Sequence, residues 1–369
     1  SAYGLASKYW TAGERNSLTP AFGGAIMWNR LLVIAASVVF LAIAGIAFRS
    51  NERSGKPTKK QKVASLAPPP ANVSGLPKLA PPTFGIATEM AQLWARTRLD
   101  MGQVFKSPAY LVLLVLGLCN SIGQLWFVNQ LYGTPIHPVT RVMIDTLEGA
   151  FTIFPIIIAV YYAGELVWRE RDRRTHEIID ATPIPDWAFA LPKVAAISLV
   201  LISTLVISVV AALVVQILKG HGALELDKYL IWYVLPNAAE CVLIAILAVF
   251  LQAVAPHKFV GWGLMVIYVV VFQFTLRNIG FEHVLYRYAH FLNVPLSDLN
   301  GQGRFWIGQA WSELYWCAFG VILFILSYGM WRRGTETRYS PRIRRLPRRL
   351  NGVAGAVLVA SLTVFIGAG

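Results

Sequence analysis

Gly164-Glu165-Leu166-Val167-Trp168-Arg169-Glu170-Arg171-Asp172-Arg173-Arg174 ends an apolar stretch and opens a dense block of both charge signs. The apolar stretch has membrane length, about 20 residues. Charges cannot follow it into hydrocarbon, where each costs about 2.5–3.5 kcal/mol at mid-bilayer on insertion scales. The block therefore marks a membrane surface, and its arginines assign that surface to the cytoplasm, where loops retain Lys and Arg. Thr175-His176-Glu177-Ile178-Ile179-Asp180-Ala181, followed by Pro183-Ile184-Pro185, predicts a short amphipathic helix stopped by prolines. A charged helix held under a membrane domain is a place where a cytosolic machine can push.

Composition agrees. Of 369 residues, 56% are hydrophobic and 14% charged, with mean hydropathy +0.54. The apolar residues fall in long blocks, unlike the roughly 45–50% apolar content of soluble domains. An all-α polytopic membrane protein follows. The net charge of +14 would also suit nucleic acid. The basic residues instead cluster in alternate loops, without an aromatic-interleaved basic domain, so nucleic acid is not an expected partner. Cys119, Cys241 and Cys317 all lie inside apolar spans without metal spacing, so neither a disulfide nor a zinc site is implied.

Hydropathy outlines eight spans. They are Leu31–Phe48, Ala109–Val128, Gly149–Val167, Val194–Leu218, Tyr229–Ala255, Phe259–Leu276, Trp306–Trp331 and Gly352–Gly369. Residues 332–349 carry eight arginines against Glu336 and are assigned to the cytoplasm, with the 168–193 loop and the basic, Pro-rich linker 49–87. Residues 1–30, 129–148, 219–228 and 277–305 then lie outside. The linker separates residues 1–48, an outside segment and one span, from a six-span unit at 88–331. That unit opens with an amphipathic segment, 88–107, expected to lie in the membrane interface. An Arg-rich loop, 332–351, leads to the final span, 352–369. Ser1 is not an initiator Met and the last span stops without a polar end, so the chain reads as a piece of something longer.

The order of interfacial helix, spans, charged loop helix and long outside loop resembles the membrane subunit of ABC-2 type exporters. Tyr161-Tyr162-Ala163-Gly164-Glu165-Leu166-Val167-Trp168-Arg169-Glu170-Arg171-Asp172, with Ile178-Ile179-Asp180-Ala181-Thr182-Pro183-Ile184-Pro185, is similar to the permease part of bacterial ABC permease/M1-aminopeptidase fusions. So are Gly280-Phe281-Glu282-His283-Val284-Leu285-Tyr286-Arg287-Tyr288 and Pro295-Leu296-Ser297-Asp298-Leu299-Asn300-Gly301. Tyr9-Trp10-Thr11-Ala12-Gly13-Glu14-Arg15-Asn16 and Trp28-Asn29-Arg30-Leu31-Leu32 resemble the end of that family's preceding permease half. The resemblance implies a second six-span half, a cytosolic ATP-binding cassette subunit, a bacterial inner-membrane location and an extracytoplasmic peptidase-like domain. The sequence departs from the family in lacking that domain and the first half.

No chemistry is expected on the chain itself. His176-Glu177 is followed by Ile178-Ile179-Asp180, so the second zinc ligand of a His-Glu-x-x-His motif is missing. Ser54-Gly55-Lys56-Pro57-Thr58 lacks the leading glycine and the hydroxyl of a phosphate-binding loop. No cofactor is expected here, and ATP with magnesium belongs to the partner ATPase.

The resemblance implies an ATPase-coupling role for Glu165, Arg169, Glu170, Arg171, Asp172, Arg173, His176, Glu177 and Asp180; the bland alternative is a solvated positive-inside loop. Glu165 sits one turn inside the boundary, with Arg169 at i+4 its expected ion-pair partner. Glu240 in the fifth span either lines a substrate path or is held neutral near Asn237. Asn120 and Gln124 are expected to bond neighbouring helices. In the outside loop, Glu282, His283, Tyr286, Arg287, Tyr288, Asp298 and Asn300 belong to a gate or scaffold, with short helices dipping into the outer leaflet. The Arg342–Arg349 run anchors topology, and anionic lipid headgroups are a secondary possibility. The expected function is a permease moving or extracting a substrate outward. The alternative is a mechanical transmitter that drives a peptidase-like domain without transport.

Overall fold

The computed structural model describes residues 11, 13, 24–47, 85–128, 137–151, 153–180, 187–222, 224–275, 279–281, 283–292, 294–297, 299, 301–334 and 339–369. The Pro-rich linker thus lies outside the described residues, apart from 85–87. The chain divides into two units, Ser1–Pro81 and Pro82–Gly369. The first contains helix α1 (Gly24–Ala47), whose Trp28, Leu32, Phe40 and Leu41 are all exposed. Helices apolar on every side suit lipid, not water.

The second unit is a helical bundle. Its elements are α2 (Ile86–Phe105), α3 (Pro108–Phe127), α4 (Thr140–Phe151), α5 (Ile153–Asp172), the one-turn α6 (His176–Asp180) and α7 (Trp187–Leu218). Then come α8 (Leu226–Val254), α9 (Lys258–Tyr268), α10 (Trp306–Gly329), α11 (Tyr339–Arg349) and α12 (Val353–Ala368). No strand occurs among the described residues; Ser297 and Gly301 form one isolated bridge.

By length and composition, α3, α7, α8 and α10 are each able to cross a membrane. Six spans result if α4 with α5 (bent by 43°) and α11 with α12 (bent by 91°) each count as one. The two remaining expected spans correspond to the shorter apolar helices Met27–Ala42 and Lys258–Phe272. Polytopic all-α architecture is therefore established.

The long helix α7 is the hub: it packs against α2, α3, α5 and α8, while α8 also contacts α10 and α9. Ala196, Leu201 and Ala212 on α7 are fully buried, as are Ala245 and Val249 on α8. Small residues allow backbones to approach where no water exists to drive apolar association. Gly164 on α5 lies beneath the flat ring of Trp262 on α9, which also stacks on Tyr161 at 5.6 Å between ring centroids. Several polar groups inside the bundle pair with one another or with backbone carbonyls, as a hydrocarbon surround favours. Asn120 Nδ2 donates to Ala150 O at 2.8 Å, tying α3 to α4, and Gln124 Nε2 donates to Asn120 Oδ1 at 3.5 Å. Tyr229 Oη donates to Gln216 Oε1 at 2.9 Å, and Gln216 Nε2 donates to Pro138 O at 2.8 Å.

Helix α2 has its faces reversed relative to a soluble helix. It buries Thr97, Asp100 and Val104 while exposing Ile86, Met90, Trp94, Leu99 and Phe105. An outward apolar face and an inward polar face fit an interfacial helix resting on lipid.

The outside loop differs from expectation. Among its described residues the only helical piece is the three-residue turn Val284–Tyr286, so no dipping helices are seen there. The cause is local: Gly280, Ala289, Gly301 and Gly303 have φ of 98°, 60°, 59° and 54°. A right-handed helix cannot continue through such positions.

Candidate functional site

The block that begins at Glu165 is built into a network at one end of the bundle. Helix α5 ends at Asp172, and its chain reverses through Arg174, which has a φ of 56°. Arg174 N–H donates to Arg171 O at 3.0 Å and Thr175 N–H to Glu170 O at 2.9 Å. This reversal satisfies orphan carbonyls in the manner of a left-handed helix cap, and it aims α6 back beneath the bundle.

The expected Glu165–Arg169 pair does not form. Arg169 instead contacts Asp100 of α2 at 2.5 Å, donates to Gln103 Oε1 at 2.7 Å and reaches Glu170 at 3.2 Å. Glu165 faces Lys258 at 3.5 Å, and Lys258 holds Asp172 at 2.8 Å. An i,i+4 pair on a helix surface contributes only about 0.2–0.5 kcal/mol. Asp100 is buried, and leaving such a carboxylate unpaired would cost far more. The tertiary partner wins.

Glu170 accepts from Lys193 Nζ at 2.8 Å, and Lys193 is 3% exposed. Arg171 donates to Arg332 O at 3.0 Å and Gly334 O at 3.2 Å, so α5 is tied to the segment after α10. Asp180 closes the same junction: its Oδ2 accepts from Gly334 N–H at 2.8 Å and its backbone carbonyl accepts from Arg333 at 3.1 Å. Trp168 Nε1 donates to Gln252 Oε1 of α8 at 3.0 Å. The Arg332 guanidinium lies 5.8 Å from the centre of the Trp168 ring, adding a cation–π contact. Trp168→Phe is expected to lower stability by about 1 kcal/mol, the net value of one such hydrogen bond, read by thermal unfolding in detergent.

Arg173, Glu177 and Ile178 point outward; Ile178 is 75% exposed, while His176 is half-buried. Of the residues expected at this end, Glu165, Arg169, Glu170, Arg171, Asp172 and Asp180 are therefore structural ties, while Arg173 and Glu177 form the open face together with Ile178, which was not among those expected. Residues 181–186 lie outside the described residues.

Asp100, Lys193, Gln252 and Lys258 complete the network without having been singled out from the sequence. Single charges beside apolar spans look like ordinary interface anchors. The available signal was that Asp100 lies on the polar strip of an amphipathic helix and Lys193 borders a long apolar helix.

At the opposite end lies a cavity of about 660 Å³. Asp145 and Glu148 of α4, Glu240 of α8, Arg287 and His290 of the loop, and Gln309 of α10 line it. Two π-helical stretches border it, Tyr229–Val234 carrying Trp232 and Val269–Thr275 beginning at Val269. Such wide turns occur often at functional sites because they re-aim side chains. Glu240 thus faces a cavity of mixed polar and apolar lining, while the neighbouring Asn237 Nδ2 donates to Tyr233 O at 2.8 Å. Asp145 and Glu148 were missed because they fall on a short, mixed helix outside the hydropathy spans.

Of the loop residues, Arg287 enters this cavity and the Tyr288 side chain enters the core. Tyr288 Oη donates to Leu243 O at 2.9 Å, and its own carbonyl accepts from Tyr268 Oη at 2.9 Å. Trp316 and Phe319 close edge-on around its ring. His283 and Tyr286 are exposed and touch one another with ring centroids 5.9 Å apart. Glu282, Asp298 and Asn300 lie outside the described residues.

Residues 105–272 match the family model described as ABC-2 family transporter protein, a segment that runs from the end of α2 through α9 and contains the α5–α6 part of the charged network and over half of the residues lining the cavity. No curated protein matches the chain. The family model spans a little under half of the chain, and over that segment the chain is similar to ABC-2 family transporter proteins.

Proposed function

We propose that this chain is the membrane subunit through which a separate cytosolic ATP-binding cassette drives outward movement of a substrate across a bacterial inner membrane, together with a second permease half. ATP and magnesium belong to the partner. One observation carries the reading: the Trp168–Asp180 segment is bonded to α2, to α7, to α8, to the first residue of α9 and to the segment after α10. A displacement applied to α6 is therefore passed to the bundle as a rigid-body movement. The open face of Arg173, Glu177 and Ile178 gives the ATPase something to grip, with charge setting orientation and the apolar Ile178 supplying buried area.

The cavity faced by Glu240 supports a substrate path over pure mechanical transmission to a peptidase-like domain. Ionisable groups kept at membrane depth are costly and ordinarily functional.

The test is co-expression with the cognate ATPase. Ile178→Asp with Glu177→Lys is expected to lower recovery of the complex and permease-stimulated ATP hydrolysis at least about tenfold, the effect of losing one interface anchor. The unfolding temperature of the permease should stay put, because both side chains are exposed. Unchanged complex and hydrolysis would overturn the coupling assignment.

A further inference from the structure

The eight arginines of residues 332–349 do not all do the same work. Helix α11 meets α12 at 91° through Gly352, which has a φ of 73°. Helix α12 carries no charged residue and packs along α10, with Phe365 stacked on Tyr315 at 4.4 Å between centroids. With α12 and α10 spanning the bilayer, the right-angle bend lays α11 flat in the membrane surface.

Its two faces are chemically distinct. Arg342 is buried and donates to Ala253 O at the end of α8, at 2.6 Å, and to Met330 O just after α10. Arg349 donates to Gly329 O at 3.2 Å and Trp331 O at 3.1 Å. Leu346, between them, sits against Gly329, which has no side chain to obstruct it. These two arginines cap helix C-termini, where orphan carbonyls and the negative dipole end favour a cation. The 100° step of an α-helix then puts Arg344, Arg345 and Arg348 together on a different flank, and all three are exposed.

We propose that Arg344, Arg345 and Arg348 form a binding surface for the headgroups of anionic phospholipids. Three guanidiniums held in the membrane plane beside an apolar span meet phosphates at headgroup depth. Guanidinium suits this ligand because its planar fork pairs two phosphate oxygens at once. Helix α11 itself carries no acidic residue. The surface is separate from the α6 face, and it holds or fails independently of ATPase coupling.

The intact chain, extracted into mild detergent from vesicles of equal phosphatidylcholine and phosphatidylglycerol, is analysed for retained lipid by mass spectrometry. Each arginine near an anionic surface contributes about a fivefold preference, so the wild type should retain phosphatidylglycerol at least about tenfold over phosphatidylcholine. R344Q/R345Q/R348Q should reduce that ratio to about that of the bulk vesicle with an unchanged unfolding temperature. R344K/R345K/R348K should keep most of the enrichment, and R304Q, which removes a charge at the opposite end, should keep all of it. Enrichment should fall with added salt as screening grows. The proposal is overturned if the glutamine triple keeps the wild-type ratio, if R304Q loses as much, or if millimolar inorganic phosphate displaces the lipid.

Discussion

Lys193→Ala is expected to destabilise the protein by about 3–5 kcal/mol, the range for removing one partner of a buried ion pair. Lys193 is 3% exposed and lies 2.8 Å from Glu170, which is itself held at 3.2 Å by Arg169. Removing the ammonium leaves a partly buried carboxylate beside one remaining cation. Thermal unfolding of the detergent-solubilised chain, followed by tryptophan fluorescence, checks the loss. The paired replacement Glu170→Gln with Lys193→Met should recover most of the stability, because neither charge is then stranded. If Lys193→Ala alone leaves the unfolding temperature within a degree of wild type, the pair does not tie α5 to α7.

Gly164→Leu is expected to be comparably damaging for a steric reason. A Cβ built at Gly164 would collide with the indole of Trp262, 2.7 Å from its Cε2 and 3.0 Å from its Cδ1, closer than real Cβ contacts. The ring has little room to turn, since Nε1 donates to Tyr161 O at 3.3 Å and its face stacks on Tyr161. Overpacking of this kind costs about 1–3 kcal/mol and sometimes more. A branched side chain in place of hydrogen belongs at the upper end. Gly164→Ala should be milder, and Gly164→Leu with Trp262→Ala milder than Gly164→Leu alone. The measurement is again the unfolding temperature, with yield of monodisperse protein as a second reading. Equal stability of Gly164→Leu and wild type would mean that α5 and α9 do not approach as described.

Much of this organisation was legible in the chain. The apolar blocks, the charges that end them and the alternation of basic loops lead directly to a polytopic helical protein. The two loops assigned to one side, 168–193 and 332–351, bond to one another through Arg171 to Arg332 O and Gly334 N–H to Asp180. The amphipathic segment before the second span also forms a helix. Less legible was the outside loop, where the number of aromatics suggested short helices. Four positive-φ residues and the burial of Tyr288 instead make it an irregular cover over the cavity. The third expected span, Gly149–Val167, was displaced at its start, because Thr140–Phe151 is a separate helix whose Asp145 and Glu148 reduce its hydropathy while giving the cavity its acids.

The sequence by itself determined that the chain is helical, that it lives in a membrane and where its charged boundaries fall. Those are consequences of solvation, which acts on each stretch according to its own composition. Only the tertiary structure decided which charges meet. Glu165 and Arg169 are neighbours along one helix, yet each is claimed by a residue far away in sequence, Lys258 and Asp100. The same holds for the arginine run, in which Arg342 and Arg349 cap helix ends while Arg344, Arg345 and Arg348 face outward. A buried charge takes whichever partner best relieves its desolvation, and that partner is fixed by helix packing, not by spacing along the chain.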